Sequence, residues 1–269
     1  RNDECGDPEN NRAYLHLGQS SPELLNNFYN NKGGKSQIDY KASAEFKDNS
    51  NKLLNPKLPH ILQLVENIWN KDMIYDASPI SYEYEGGEYI YKDVLRRQFG
   101  GFEKITQKNL NNSSIANITK TYFHQGNSTN FKYEEGNDEF ARIGKPYAIE
   151  IYDQNNDLYS RGILKWYVSG LVNRDFVRLS QNINLIYDGN NTNKGTSTGY
   201  TFDSQNGNLI KKILYGEYQS DSGGNITANI GNDAFYINYE YAKDPNGKIK
   251  DFISNETVSD QSNKKVKET

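Results

Sequence analysis

The sequence predicts a mainly β protein, with a mixed α+β first part followed by a C-terminal antiparallel β-barrel of about eight strands. Tyr and Phe number 21 and 11 in the 269 residues, against one Met, and aromatic side chains favour a pleated, half-buried sheet. From about residue 141 onward, apolar and polar residues alternate between short polar turns. No helical periodicity interrupts those runs, which indicates strands joined by hairpins.

Two segments in the first part, residues 1–142, carry helix signals. One is SSPELLNNFYNNKGG, where Ser21 and Pro22 suit an N-cap and a first helical position and Gly33 suits a stop. The other is LPHILQLVENIWNKDM, whose apolar residues follow a 3.6-residue period after Pro59. These patterns predict a short helix and a longer amphipathic one in a mixed α+β domain that binds the ligand or acts as a handle.

Four tyrosines flank the Gly86-Gly87 pair in ISYEYEGGEYIYKDVL. Alternating aromatic residues around two glycines predict a β-hairpin. The tyrosines that would share its face are Tyr82, Tyr84, Tyr89 and Tyr91. Such a face either covers the helix or binds a partner protein.

The barrel is predicted over residues 143–258. Alternating runs surround the polar turn in YAIEIYDQNNDLYSRGILKWYVSG and the Asn206-Gly207 turn in GYTFDSQNGNLIKKILYGEYQS. The short turns favour an up-and-down barrel over a sandwich, which needs longer crossovers. Residues 259–269 are polar apart from Val266, so we expect a flexible tail there.

Charge and composition exclude several classes of partner. A net charge of −4 without a basic face argues against nucleic-acid binding, and no apolar run is long enough to span a bilayer. The single cysteine, Cys5, excludes an internal disulfide. The abundance of Asn, Lys, Ile and Tyr is typical of an AT-rich bacterial genome, and we expect a bacterial protein that is secreted or held at the cell surface.

Three segments of the second part resemble a family of binding proteins that Gram-negative bacteria export to their surface. The segments are LYSRGILKWYVSG, GYTFDSQNGNLIKKILYG and ITANIGNDAFYIN. They are similar to barrel strands of the transferrin-binding lipoproteins, the haemoglobin-binding lipoprotein and the haem-binding haemophores of the hemophilin type. The resemblance implies a C-terminal eight-stranded barrel. It also implies haem as the ligand, haem or a haem protein as the partner, and an outer-membrane receptor.

A haemophore needs a neutral His or Tyr as axial ligand and an apolar cleft for the porphyrin. His124, in TKTYFHQGNSTNF, follows Tyr122 and Phe123, which could form the walls of the cleft. His16 and His60 lie in an apolar run and at the predicted helix start. The resemblance therefore makes His124 the haem-ligand candidate, with a solvated loop residue as the alternative.

No catalytic motif stands out, and we expect a binding protein without enzymatic activity and without a protein-bound metal. Asp153, Asn155 and Asp157 copy the opening of a calcium loop, but Leu158 and Leu164 occupy positions that require Gly and Glu. The acids from Glu134 to Glu139 are typical of a solvated loop. The leading hypothesis is a haem-binding protein; an adhesin or toxin-like module that binds host protein or glycan is the alternative, and a hydrolase comes third.

Overall fold

The computed structural model describes residues 24–30, 32–71, 79–111, 114–126, 139–171, 174–187, 192–231, 233–242 and 251–269. These residues form strands almost throughout, with two short 3-10 helices at Ser43–Glu45 and Phe140–Arg142. The strands are β1 (Asn27–Tyr29), β2 (Lys35–Ala42), β3 (Gln63–Lys71), β4 (Ile80–Glu85), β5 (Glu88–Tyr91), β6 (Arg97–Gly101), β7 (Lys104–Asn111), β8 (Ser114–Phe123), β9 (Pro146–Tyr152), β10 (Leu158–Leu171), β11 (Arg174–Ile186), β12 (Lys194–Phe202), β13 (Leu209–Ser220), β14 (Ile226–Asn229), β15 (Phe235–Tyr241), β16 (Ile253–Asp260) and β17 (Lys265–Glu268).

One antiparallel sheet of fifteen strands contains all of the described strands except β5 and β6. Its strands follow chain order from β1 to β17, with β4 beside β7, β13 beside β15, and β14 paired to β13 at the side of this path. Strands β5 and β6 pair only with each other, as a separate two-stranded sheet. Because β8 pairs with β9, the large sheet runs without a break across the domain boundary predicted at residue 142, and that boundary stays a prediction.

The predicted α+β character of the first part is wrong, because the segment with the strongest helix signal is a strand. Gln63–Lys71 forms β3 and pairs with β2 from Lys35 to Ala42. A register shift between Asp39 and Tyr40 places Ile68 and Val65 opposite Ile38 and Tyr40. A β-bulge lets an odd residue spacing supply one face of a strand, so the 3.6-residue pattern did not require a helix.

The other predicted helix and the Tyr hairpin also differ from the structure. Asn27–Tyr29, within the first helix candidate, is strand β1, while residues 21–23 lie outside the described residues. The Gly86-Gly87 pair joins β4 to β5, but β4 pairs with β3 and β7 and β5 pairs with β6. Gly86 has φ 69°, so it redirects the chain from one sheet into another instead of closing a hairpin.

The hairpins of the second part are confirmed, but the closed barrel is wrong. β9 pairs with β10 and β12 with β13, and Gly207, with φ 79°, supplies the left-handed turn between the latter two. Among the described strands, β9 continues the sheet toward β8 while β16 pairs with β15 and β17. The strands of residues 143–258 therefore belong to an open sheet.

The end of the chain extends this sheet. Lys265–Glu268 forms β17, which pairs with β16, where the sequence had predicted a flexible tail. All four β17 residues are exposed, so the strand is held by backbone hydrogen bonds. A composition with Val266 as its one apolar residue therefore did not reveal it.

The main core lies on one face of β10–β13. It consists of the buried side chains Ile163, Ile183, Leu185 and Tyr218. Gly195, on β12, allows the Tyr218 ring to approach, since a Cβ at that position would lie 2.6 Å from Cε2 of Tyr218. A second cluster on β8 and β9 contains Tyr122, Tyr147 and Ala148.

Candidate functional site

The β5–β6 hairpin stands out because it combines a buried aromatic base with an exposed apolar tip. At its base, Tyr84 packs against Phe46 and Phe102 with ring centroids 5.6 and 5.0 Å away. Phe102 contacts Phe99 at 5.5 Å, and His60 lies between Phe99 and Tyr89. Aromatic contacts therefore connect the sheet to the hairpin and fix its orientation.

The four tyrosines predicted to share one face do not do so. Burial raises the pKa of Tyr84, with a smaller contribution from the neighbouring Tyr82, and Tyr84 lies among the aromatic rings of the base. Tyr89 and Tyr91 contact each other in β5 with their rings tilted by 48° and their centroids 4.9 Å apart, and Tyr91 is 67% exposed. Of the set, Tyr91 is the one best placed to meet a partner, and the partner-binding role of the four stays a prediction.

The tip of the hairpin presents two aliphatic side chains to solvent. Val94 is 77% exposed and Leu95 is 92% exposed. Asp93 organises the turn: its Oδ1 accepts hydrogen bonds from the backbone N–H groups of Leu95 and Arg96, and its Oδ2 accepts one from Nε of Arg96 at 2.6 Å. The Arg96 hydrogen bond holds the pKa of the Asp93 carboxyl below its usual value, so the turn stays closed at neutral pH.

Gln125 connects the hairpin base to the end of β8. Its buried side-chain amide donates to the carbonyl oxygens of Gly86, at 2.6 Å, and Gly101, at 3.1 Å. These carbonyls lie at the two ends of the β5–β6 unit. Asn55 adds a second clamp, because its Oδ1 accepts a hydrogen bond from the Gly87 N–H at 2.8 Å. The segment that contains His124 thus has a structural role through Gln125, the residue that follows His124.

Replacing Gln125 by Ala is expected to lower the free energy of unfolding by about 2 kcal/mol, because two partly buried carbonyls lose their donor. Gln98→Ala, an exposed position on β6, is the matched control and is expected to cost about 0.5 kcal/mol or less. Urea denaturation monitored by circular dichroism measures both. Equal midpoints for the two variants would show that the clamp contributes nothing.

His124 lies in the interior and not in a polar loop. Its side chain is 1% exposed, its ring packs 5.2 Å from Tyr147, and its backbone pairs with Lys145 and Gly144. Tyr122 is also buried and donates its hydroxyl to Glu150 Oε2 at 2.9 Å, while Phe123 ends β8. Residues 127–138 lie outside the described residues. Haem ligation by His124 stays a prediction, which a haemin titration followed at the Soret band tests.

A buried ion pair joins Glu150 on β9 to Arg161 on β10. Nη2 of Arg161 lies 3.0 Å from Oε1 of Glu150, whose side chain is 2% exposed. Oε2 of Glu150 accepts hydrogen bonds from the hydroxyls of Tyr122 and Tyr152. Arg161 also donates to the hydroxyl of Tyr187, at 3.0 Å. A buried carboxylate with this many donors is stable in its charged form.

The pKa of Tyr152 reflects the same network. Burial raises it far above its usual value, and the hydrogen bond to Glu150 and the negative charge of Glu150 raise it further. Tyr152 therefore remains a neutral hydroxyl donor throughout the physiological range. This network is suited to fixing the register of β8, β9 and β10.

The remaining sequence candidates have structural roles or lie outside the described residues. Oδ1 of Asp153 accepts hydrogen bonds from the N–H groups of Asn155 and Asp157, which confirms a hairpin turn between β9 and β10. Glu134, Glu135 and Asp138 lie outside the described residues. Over the part of the chain that the structure describes, there is no group of three or more His, Cys, Asp or Glu side chains placed to hold a metal ion.

Comparisons with known proteins give a different relationship from the one that the sequence segments suggested. The sequence model of the family described as "Insecticide toxin TcdB middle/N-terminal region" matches residues 13–136, just under half of the chain. No match was found among curated proteins.

The fold is similar to a solved structure entitled "Crystal Structure of TcdB2-TccC3 without hypervariable C-terminal region". The TM-score is 0.62 at 13% identity, and the similarity covers 88% of this chain and 15% of that one. Both descriptions name a TcdB protein. At this identity the structural likeness shows the fold alone, and the chain spans a small fraction of the protein that it matches.

The haemophore resemblance is therefore wrong, and so are the haem-binding function and the haem and receptor partners inferred from it. The misleading segments, such as LYSRGILKWYVSG, are alternating strands bounded by turns. Such a pattern reflects the pleat of any antiparallel sheet and carries little information about family. The alternative of a toxin-like module agrees better with the findings.

Sequence reasoning missed the Glu150–Arg161 pair and the apex formed by Val94 and Leu95. A signal for the pair was present, because the turn at Asp153–Asp157 fixes the register of the β9–β10 hairpin and places Arg161 opposite Glu150. The KDVLRR stretch also contained a signal, since Val and Leu between charged residues in a turn are unusual.

No helix among the described residues is long and apolar enough to span a membrane.

Proposed function

We propose that this chain is a scaffold segment of a secreted bacterial insecticidal toxin, and that it contributes a wide antiparallel sheet to a larger toxin body. The observation that carries the proposal is the structural similarity: 88% of this chain matches a segment that makes up 15% of a much larger toxin protein. The family match over residues 13–136 gives independent support.

The open edges of the sheet agree with such a role. Among the described strands, β1 pairs with β2 alone and β17 with β16 alone. Free strand edges favour pairing with further strands. Phe28 and Tyr29 on β1 are 58% and 66% exposed, and Val266 on β17 is 60% exposed. Neighbouring segments of a larger body would pair with these edges and cover these side chains.

A scaffold role needs no catalysis, and the expectation that the chain is not an enzyme stays a prediction. The buried Glu150–Arg161 pair supports a structural role, because both charged groups bond to other protein groups within the sheet. Partners are expected to be other parts of a toxin complex, as the TcdB2-TccC3 title suggests for the structural neighbour.

A segment exchange tests this proposal. The matching segment of TcdB2 is replaced by this chain, the chimera is co-expressed with TccC3 lacking its hypervariable region, and assembly is followed by size-exclusion chromatography. We expect one co-eluting complex. A chimera that also carries Ile183→Asp, which places a charge in the core, is the matched negative control. The proposal fails if the unmutated chimera does not assemble although this chain alone gives a folded β spectrum.

A further inference from the structure

We propose that the β5–β6 hairpin is a membrane-docking element, whose tip inserts Val94 and Leu95 into the surface of an anionic lipid bilayer. The tip comprises residues 91–99, all of them exposed. Val94 and Leu95 are the two most exposed large apolar residues of the described chain. The inference rests on this tip and does not depend on the toxin-scaffold proposal.

The charge around the apex suits an anionic surface. Lys92 precedes the aliphatic pair in the chain and Arg96 and Arg97 follow it, and Asp93 is the one acid of residues 91–99. Nζ of Lys92 also lies 5.7 Å from the centre of the Phe140 ring. Three basic groups against one acidic group give the tip a net charge of +2, in a chain whose net charge is −4. Basic residues next to inserted apolar side chains are attracted to the negative potential of a lipid surface.

Five backbone polar groups of the turn already have partners within the turn. The N–H groups of Leu95 and Arg96 bond to the Asp93 carboxylate. The Lys92 N–H donates to the Arg96 carbonyl at 2.9 Å, and Nε of Arg97 donates to the Val94 carbonyl at 3.1 Å. A segment entering a region of low polarity needs such internal partners.

Other side chains of the hairpin also favour insertion of the tip into a lipid surface. Tyr91 precedes the apex in the chain and is 67% exposed, and tyrosine is favoured at the boundary between headgroups and acyl chains. The Arg96–Asp93 ion pair holds the turn in one shape, so little conformational entropy is lost on binding. The aromatic base and the Gln125 clamp hold the hairpin in a fixed position on the sheet.

A lipid surface explains the composition of the apex better than a protein pocket does. Residues that contribute most of the binding energy at protein interfaces are mainly Trp, Tyr and Arg, and Leu and Val are under-represented among them. The tip does contain Tyr91, Arg96 and Arg97, but its two most exposed apolar side chains are Val94 and Leu95. A bilayer can accept two adjacent aliphatic side chains with flanking basic groups without a pocket of matching shape, which a protein partner would have to provide. Both of the arginines are tied into the turn, which leaves the aliphatic pair as its outermost feature.

The test is co-sedimentation of the full chain with vesicles of equal parts phosphatidylcholine and phosphatidylserine, and with vesicles of phosphatidylcholine alone. We expect binding to the anionic vesicles that weakens as salt is raised, and little binding to the neutral ones. Leu95→Ser is expected to reduce the partition coefficient by roughly tenfold, and Arg97→Gln by about fivefold.

Val266→Ser is the matched control, because Val266 is 60% exposed on β17 and belongs to the large sheet, whereas the tip belongs to the separate β5–β6 sheet. It should leave vesicle binding unchanged, and circular dichroism checks that every variant is folded. The proposal is overturned if the chain does not sediment with anionic vesicles, if it binds neutral vesicles equally well, or if Leu95→Ser and Val266→Ser behave alike. A Leu95→Ser variant that binds vesicles normally but lowers the yield of the assembled toxin chimera would assign the tip to a protein partner instead.

Discussion

Arg161→Met is expected to lower the free energy of unfolding by about 3–5 kcal/mol, because it leaves the Glu150 carboxylate charged and buried without its cation. The side chains of Arg161 and Glu150 are 11% and 2% exposed, and the closest approach between their charged groups is 3.0 Å. The substitution also removes the hydrogen bonds from Arg161 to the Tyr187 hydroxyl and the Ser222 carbonyl. Urea denaturation at neutral pH measures the loss.

Two further variants make this prediction specific. Lys41→Met removes the partner of Glu66 in a half-exposed pair of similar length, 2.8 Å, and is expected to cost about 1 kcal/mol or less. Adding Glu150→Gln to Arg161→Met removes the buried charge but keeps an acceptor for the tyrosine hydroxyls, and should recover part of the loss. If Arg161→Met were no more damaging than Lys41→Met, the network would not be stabilising the sheet.

Ile183→Ala is the second substitution with a large expected effect, about 2–5 kcal/mol of unfolding free energy. Ile183 is fully buried and belongs to the same cluster as Ile163, Leu185 and Tyr218. Truncation leaves a cavity that the flanking strands cannot fill, because they are held by their backbone pairing on both sides. Thermal unfolding, monitored by near-ultraviolet circular dichroism of the tyrosines, measures the effect.

Ile186→Ala is the control for this prediction, because Ile186 lies on the same strand but is 51% exposed. It is expected to change the unfolding free energy by about 0.5 kcal/mol. Similar melting temperatures for the two variants would mean that the face carrying Ile183 is not the core of the sheet. A loss confined to Ile183→Ala would support the assignment of the buried face.

The hairpins of the second half could be predicted because turn chemistry and alternation agree there. Asn206-Gly207 favours a left-handed turn, and Gly207 adopts φ 79°. Strands β12 and β13 pair antiparallel on either side of the turn, with Phe202 opposite Leu209. Local signals of this kind do not depend on the remainder of the fold.

The closure of the sheet and the nature of β3 could not be predicted from local signals. Whether β16 meets β9 or continues to β17 depends on the twist and on neighbouring strands, which alternation does not encode. β3 mimicked a helix because a bulge opposite Asp39 and Tyr40 changes the spacing of its inward residues. Tertiary pairing overrode the helix pattern of Leu64, Val65 and Ile68.

Alternation alone does not reveal the face of the sheet on which Glu150 lies. In YAIEIY, the apolar residues Ile149 and Ile151 suggest that Glu150 points to solvent. The structure buries Ala148 and Glu150 and leaves Ile151 38% exposed. A carboxylate can occupy the buried face because Arg161 and the hydroxyls of Tyr122 and Tyr152 meet it there.

The proposed scaffold role requires that this chain contributes an open sheet to a larger toxin body. Cryo-electron microscopy of the TcdB2 chimera bound to TccC3 tests this role. We expect that strands from adjoining segments pair with β1 and β17 and continue the sheet on both sides. A map in which the chain forms a separate domain, with the edges of β1 and β17 unpaired, would contradict it.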